Sequence, residues 1–256
     1  MYSEQAKQIK DNLPMPILRG EMTAPDRMAA TALGPGGLQH LAREGWLLVA
    51  DVLTSAHCQV VSEALAPLLA GNRRCGARGL LAVPAVAALA CAPALRILVE
   101  PALGSAAAAV RAVLFDKPET ANWRVPWHRD RLIAVRGRRE VPGFSAWSLK
   151  DHVPHVEPPI AILEAMLTLR IHLDDVTSDN GPLRVISGSH GEQASVPAGT
   201  ASSTIITAAR GSVLLMRPLL LHASSPAVRP GHRRVVQLEY CAADLPAGLD
   251  WNQRLR

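Results

Sequence analysis

Residues Asn122–Val135 read NWRVPWHRDRLIAV, and the fold and chemistry of the chain turn on its His128-Arg129-Asp130. A protein-kinase catalytic loop shares this tripeptide but needs Asn five residues after the Asp, to hold magnesium. Position 135 is Val, no GxGxxG loop precedes it, and no DFG follows. The kinase reading is excluded. In a β-strand, residues two apart point to the same face. His128 and Asp130 then offer an imidazole and a carboxylate to one point, while Arg129 turns away. These are two of the three ligands of a two-His, one-carboxylate site for non-haem iron(II). A surface strand gives the same spelling, so the tripeptide needs a third ligand from elsewhere.

His222, in LLMRPLLLHASSPA, is the candidate. It follows an apolar run and opens a Ser/Pro turn, which places it at a strand end. Eleven residues on, Arg233 starts RRVVQLEY. In that strand Arg233, Val235, Gln237 and Glu239 share one face, and Arg234, Val236, Leu238 and Tyr240 share the other. The second face is mostly apolar and suits packing against helices. The first is polar and suits a wet site, so parity selects Arg233 as the inward guanidinium. A buried Arg fork is what a carboxylate ligand requires.

Outward from these motifs, the chain divides by character. Residues 1–30 carry Pro14, Pro16, Gly20 and Pro25 without a sustained period, and read as an extension. Residues 31–256 read as one continuous domain. LGPGGLQHLAREGWLLVADVLT gives a helix stopped by Gly45, then a strand over WLLVADVL. SAHCQVVSEALAPLLAG gives a helix with Ser55 as its cap and Gly71 at its end. Ala-rich helices continue to about Val113. From there, short runs of Val, Ile, Leu and Thr between turn residues (MLTLRIHLDD, GPLRVISGS, STIITAA, GSVLLMRPLLLHA, RRVVQLEY) indicate an all-β sandwich or barrel.

Composition narrows the function classes. The net charge of +5 is mild and the arginines are scattered, which disfavours a nucleic-acid partner and suits small anionic ligands. Cys58, Cys75, Cys91 and Cys241 form no CxxC pair, so a disulfide framework or zinc ribbon is not expected; free thiols fit a reducing cytoplasm. Leu80–Val99 is apolar, but Pro84, Pro93 and Arg96 argue for buried helices broken by turns, not a membrane span. Glu4, Lys7, Lys10 and Asp11 stand where an export signal needs apolar residues.

Taken together, WHRD, LDDVTSDNGPLRVISGSH, GSVLLMRPLLLHASSPA and HRRVVQLEY resemble the phytanoyl-CoA dioxygenase-like group of iron(II)/2-oxoglutarate-dependent oxygenases. The likeness covers roughly residues 35–242 in order and spacing. It implies an α+β protein whose core is a double-stranded β-helix, or jelly roll, with N-terminal helices packed on the outer sheet. It implies that His128, Asp130 and His222 hold Fe(II) and that Arg233 binds the distal carboxylate of 2-oxoglutarate. The implied reaction consumes O2, decarboxylates 2-oxoglutarate to succinate and oxidises a small-molecule substrate. Related halogenases carry a small residue at the carboxylate position, so Asp130 favours hydroxylation or a variant of it. Ser187 departs from the Pro usual before Gly-Ser-His.

Arg131, Arg170, Arg217 and Trp147 are candidate substrate contacts. Arg170 shares a face of MLTLRIHL with Thr168 and His172, Arg131 and Arg217 flank the ligand positions, and Trp147 suits an apolar wall or the core. His190 closes a structural turn, and Asn180 serves the backbone of another. Residues 136–159, long, charged and Pro-rich, suit either a lid or a surface loop. Two rival readings are a jelly-roll protein that binds metal without turnover, and a cupin-like metal enzyme that uses no oxoacid.

Overall fold

The computed structural model describes residues 33–69, 76–118, 122–191 and 203–256. The expectations for residues 1–30, Gly71 and Cys75 lie outside these. Helix α1 (Pro35–Glu44) ends at Gly45, whose φ of 79° is left-handed and whose N–H bonds the Leu41 carbonyl. A Cβ at Gly45 would meet His190 Nδ1 at 2.4 Å, so only glycine fits there. Strand β1 (Trp46–Val49) is shorter than expected, because the chain turns through Asp51 at φ 54°. Helix α2 (Ser55–Leu69) is capped by Thr54, whose Oγ1 accepts the His57 N–H at 3.2 Å; Ser55 is already inside the helix. The expected cap was one residue late, since either hydroxyl satisfies the pattern.

Strand β2 (Gly76–Arg78) follows, and then the apolar Leu80–Val99 stretch breaks as its prolines require. It forms a 3-10 turn (Leu80–Ala82), α3 (Pro84–Ala90) and α4 (Pro93–Leu103), with Pro84 and Pro93 each at a first helical turn. These two helices are bent by 48°, and no single helix among the described residues is long and apolar enough to cross a membrane.

The remaining elements are β3 (Ala108–Phe115), β4 (Val125–His128), β5 (Ile133–Ala134), β6 (Ser145–Lys150), β7 (Val153–Glu157), α5 (Ile160–Glu164), β8 (Met166–His172), β9 (Leu183–Val185), β10 (Thr204–Ile206), β11 (Val213–Met216), β12 (His222–Ser224) and β13 (Val235–Cys241). They build antiparallel sheets. The largest runs β1-β11-β8-β13-β3-β2, and the second runs β10-β9-β12-β4.

Register sorts the large sheet into two faces. Leu167, Leu169 and Ile171 of β8, Val213 and Leu215 of β11, and Val236, Leu238 and Tyr240 of β13 pack in one core with helix residues such as Leu41, Leu65, Leu89 and Leu98. The buried Tyr240 hydroxyl donates to the Ala90 carbonyl at 2.8 Å. The opposite face carries Leu214 and Met216, which pack with Leu183, Val185 and Ile206 of the second sheet. Farther along the same face come Thr168, Arg170, Gln237, Glu239 and Arg111. The parity of RRVVQLEY is therefore as expected, with its apolar face on the helices.

Residues 136–159 are not an irregular loop. Most of the segment forms the β6–β7 hairpin, which joins β5 in a third sheet of order β5-β7-β6. Ile133 and Val156, paired in register, bury into a separate core with Phe144 and Trp251. Its charges and prolines hid the alternation that makes it a sheet.

Candidate active site

Strand pairing brings the two imidazoles together. His222 opens β12, His128 closes β4, and the two are direct partners in the antiparallel ladder. Their ring centroids lie 4.1 Å apart with planes tilted by 53°. Asp130 sits just past the end of β4, where its N–H bonds the Pro218 carbonyl at 2.9 Å. One ligand atom from each of His128, Asp130 and His222 falls within 4.8 Å of the others. His128 Nε2 is 3.8 Å from Asp130 Oδ1, and His222 Nε2 is 3.9 Å from Asp130 Oδ2.

Both imidazoles are tautomerically fixed. His128 Nδ1 lies 2.9 Å from the Pro126 carbonyl, and His222 Nδ1 lies 2.8 Å from the Leu220 carbonyl. A carbonyl only accepts, so each Nδ1 carries a proton and each Nε2 is the nitrogen left to face the site. Burial pushes His222 down to about 4, ahead of the opposing pull of Asp130, so the ring is neutral at physiological pH. Burial alone would raise Asp130, but His222, His128, Arg111 and Arg170 outweigh it and hold the carboxyl low. Two imidazoles with Nδ1 occupied and one carboxylate form the donor set of a facial iron(II) site, with positions left for other ligands.

One cavity joins this triad to Arg233, Arg170, Gln237 and Lys117. Arg233 is 3% exposed; its Nη1 donates to the Gly181 carbonyl at 2.5 Å and its backbone N–H to Asp116 Oδ1 at 3.0 Å. Its Nε is buried without an acceptor. An orphaned guanidinium N–H on the same cavity as the triad fits the far carboxylate of a chelating acid. Arg234 points away and forms a two-nitrogen pair with Asp174 at 2.6 and 2.8 Å.

The comparisons with known proteins agree with this geometry. A family profile described as phytanoyl-CoA dioxygenase (PhyH) matches residues 41–235, well over half of the chain. The chain belongs to the phytanoyl-CoA dioxygenase family. That places it among the iron(II)- and 2-oxoglutarate-dependent oxygenases. No curated protein matches the sequence. Solved structures share the fold at low identity. HygX from Streptomyces hygroscopicus, with nickel and 2-oxoglutarate bound, aligns at TM-score 0.62 and 18% identity over 82% of this chain and 87% of its own. EctD from S. alaskensis, with 2-oxoglutarate and 5-hydroxyectoine, aligns at 0.63 and 19% over 89% and 81%. SnoK, a non-heme alpha ketoglutarate dependent carbocyclase from nogalamycin biosynthesis, aligns at 0.63 and 16% over 88% of each chain.

Within this family member, the candidate substrate contacts scatter. Arg170 lines the triad cavity. Arg131 follows Asp130 but is held by Glu157 Oε1 at 2.5 and 2.8 Å. Trp147 packs on the core beneath the third sheet, with the Arg138 guanidinium 5.6 Å from its ring centre. Arg217 does not reach the triad: it donates to the Glu164 and Met166 carbonyls and lines a separate cavity with His190. Its strand ends at Met216, one residue earlier, and the turn sends the side chain to the other side. His190 is tied to the Ala42 carbonyl at 3.1 Å, and Ser187 accepts the Trp46 indole N–H at 2.8 Å, which gives the Pro-to-Ser departure a role.

Sequence reasoning missed Lys117 and Asp116. Lys117 is fully buried, donates to Ser224 Oγ at 2.7 Å and the Ser225 carbonyl at 2.5 Å, and is pushed down to about 8 by burial, Arg233 and Arg170. The only signal was a charged pair, Asp116-Lys117, ending the apolar run AVLF.

Proposed function

We propose that this chain is an iron(II)- and 2-oxoglutarate-dependent dioxygenase that hydroxylates a small organic molecule, releasing succinate and carbon dioxide. The pinned, mutually facing Nε2 atoms of His128 and His222 beside Asp130 carry this reading. In it those three residues hold the metal, and Arg233 binds the distal carboxylate of the oxoacid through its unpartnered Nε. When bound, iron(II), 2-oxoglutarate and dioxygen supply oxidative decarboxylation coupled to oxidation of the substrate. The chain's own part is to bind and orient. The two carbonyls hold the imidazole Nδ1 atoms, Asp116 holds the backbone of Arg233, and burial shields the Arg233 end of the cavity from solvent. A filled carboxylate position at Asp130 favours hydroxylation over halide transfer.

The paired antiparallel sheets with helices on one outer face support a double-stranded β-helix in residues 31–256 as a single domain. Arg131, paired with Glu157 of β7, and Trp147 of β6 remain the proposed substrate-side residues, with the β6–β7 hairpin as a cover, and a cytoplasmic setting suits the free thiols Cys58, Cys91 and Cys241. Incubation with Fe(II), ascorbate, oxygen and 2-oxoglutarate, with succinate followed by NMR, tests the proposal. Slow succinate release that disappears in His222→Ala is expected. Iron-loaded, folded protein that makes no succinate, alone or across a substrate panel, would turn the reading toward a metal-binding protein without turnover.

A further inference from the structure

Lys117, Arg170 and Arg233 are all buried on one cavity, and each is hydrogen-bonded to neutral oxygens rather than to a carboxylate. Buried charge held this way is costly unless a counter-charge arrives. Lys117 is otherwise satisfied, between two serine oxygens and 5.4 Å from the centre of the Trp123 ring. Arg233 is accounted for by the distal carboxylate. Arg170 is not. It is 7% exposed, gives one bond, Nη1 to Gln237 Oε1 at 2.5 Å, and lies with its guanidinium carbon 5.2 Å from the centre of the Phe115 ring, on the same cavity.

Its position is well defined. Arg170 on β8 and Gln237 on β13 are register partners, so the pair is set by the sheet. Gln237 Nε2 reaches Asp130 Oδ2 at 3.4 Å and Glu239 Oε1 at 3.1 Å. Glu239 is in turn fixed by Arg111 at 3.0 Å. Arg170 thus stands one side chain from the metal-site carboxylate, whose charge favours it, and is also close enough to Arg233 to oppose the Arg233 charge. The triad, Arg170 and Arg233 all line the same cavity.

We propose that Arg170 is a second anion anchor, holding the metal-proximal carboxylate of the oxoacid while Arg233 holds the distal one, with Gln237 fixing its orientation. This rests on the oxoacid reading above and reassigns Arg170 from the substrate to the co-substrate. Pyruvate, a 2-oxoacid without the distal carboxylate, separates the two roles. Binding of 2-oxoglutarate and of pyruvate to anaerobic Fe(II)-loaded protein is measured by calorimetry for wild type, Arg233→Met, Arg170→Met and Arg170→Lys. Arg233→Met should weaken 2-oxoglutarate alone. Arg170→Met should weaken both acids by roughly tenfold or more, with partial recovery in Arg170→Lys and unchanged iron retention in all. If Arg170→Met folds poorly, Arg170→Gln keeps a polar partner for Gln237 and makes the same comparison. Weakening of 2-oxoglutarate only, or of neither acid, would overturn the proximal assignment. Wild type that binds neither acid would instead remove the oxoacid reading on which it rests.

Discussion

At the scale of single residues, adjacent arginines have opposite fates. Arg233 is buried against the Gly181 carbonyl, and Arg234 pairs with Asp174 at the edge. Strand parity predicted this split, because side-chain direction alternates whatever the surroundings. Asp116 was not legible: its two oxygens hold the Arg233 N–H and the His232 ring, contacts made across the fold from a position that reads as a strand end. We predict that Asp116→Ala raises the Kd for 2-oxoglutarate about tenfold while iron affinity is kept, by titration of each ligand separately. Arg234→Met should leave that Kd unchanged and cost about 1 kcal/mol of stability in urea unfolding, since its ion pair is partly solvated. His172 gives a pH signature. Burial first, then Arg170, push it down to about 4 in the folded chain, against an ordinary value near 6.5. The unfolded chain therefore binds the extra proton between those values, and stability falls as pH drops from about 6.5 toward 4. His172→Phe should flatten that part of the stability profile.

At the scale of elements, β8 and β13 bear most of the weight. Every residue in both strands is buried, with apolar side chains on the helix side and all the charged and amide side chains on the other. Leu169→Ala leaves a void between β8 and the helices and should cost about 2–5 kcal/mol, read as a lower urea midpoint with an unchanged slope. The same alternation made these strands readable from sequence. The β6–β7 hairpin was not readable, because Pro154 and a run of arginines masked a pattern whose apolar partners, Ile133 and Phe144, lie outside it. The cap of α2 was off by one for a simpler reason: Thr54 and Ser55 are adjacent hydroxyls, and only the backbone conformation chooses between them. Arg217 was misplaced because its strand was read as running on to His222, whereas it stops at Met216 and turns through Pro218.

At the scale of the whole molecule, the sheets do what no local segment does. They place His222 opposite His128 across a ladder, 94 positions away in the chain, and set Arg233 and Arg170 on the same cavity. That His128, Asp130, His222 and Arg233 would meet on one cavity was legible because an iron site calls for those residue types and because the motifs resemble a known family. Of the buried cations around them, Arg170 was legible on its strand face and Lys117 was not, since a lone Lys just past a strand carries no pattern. The central claim is that this cavity binds iron(II) and 2-oxoglutarate together. The most direct measurement is an anaerobic titration of the apo-protein with Fe(II) and 2-oxoglutarate, following the weak visible charge-transfer band of the chelate, with Arg233→Ala and His222→Ala alongside. The account predicts a band in the wild type that is weakened in Arg233→Ala and lost in His222→Ala. Folded, iron-loaded wild type without a band, or a band of full strength in His222→Ala, would contradict it.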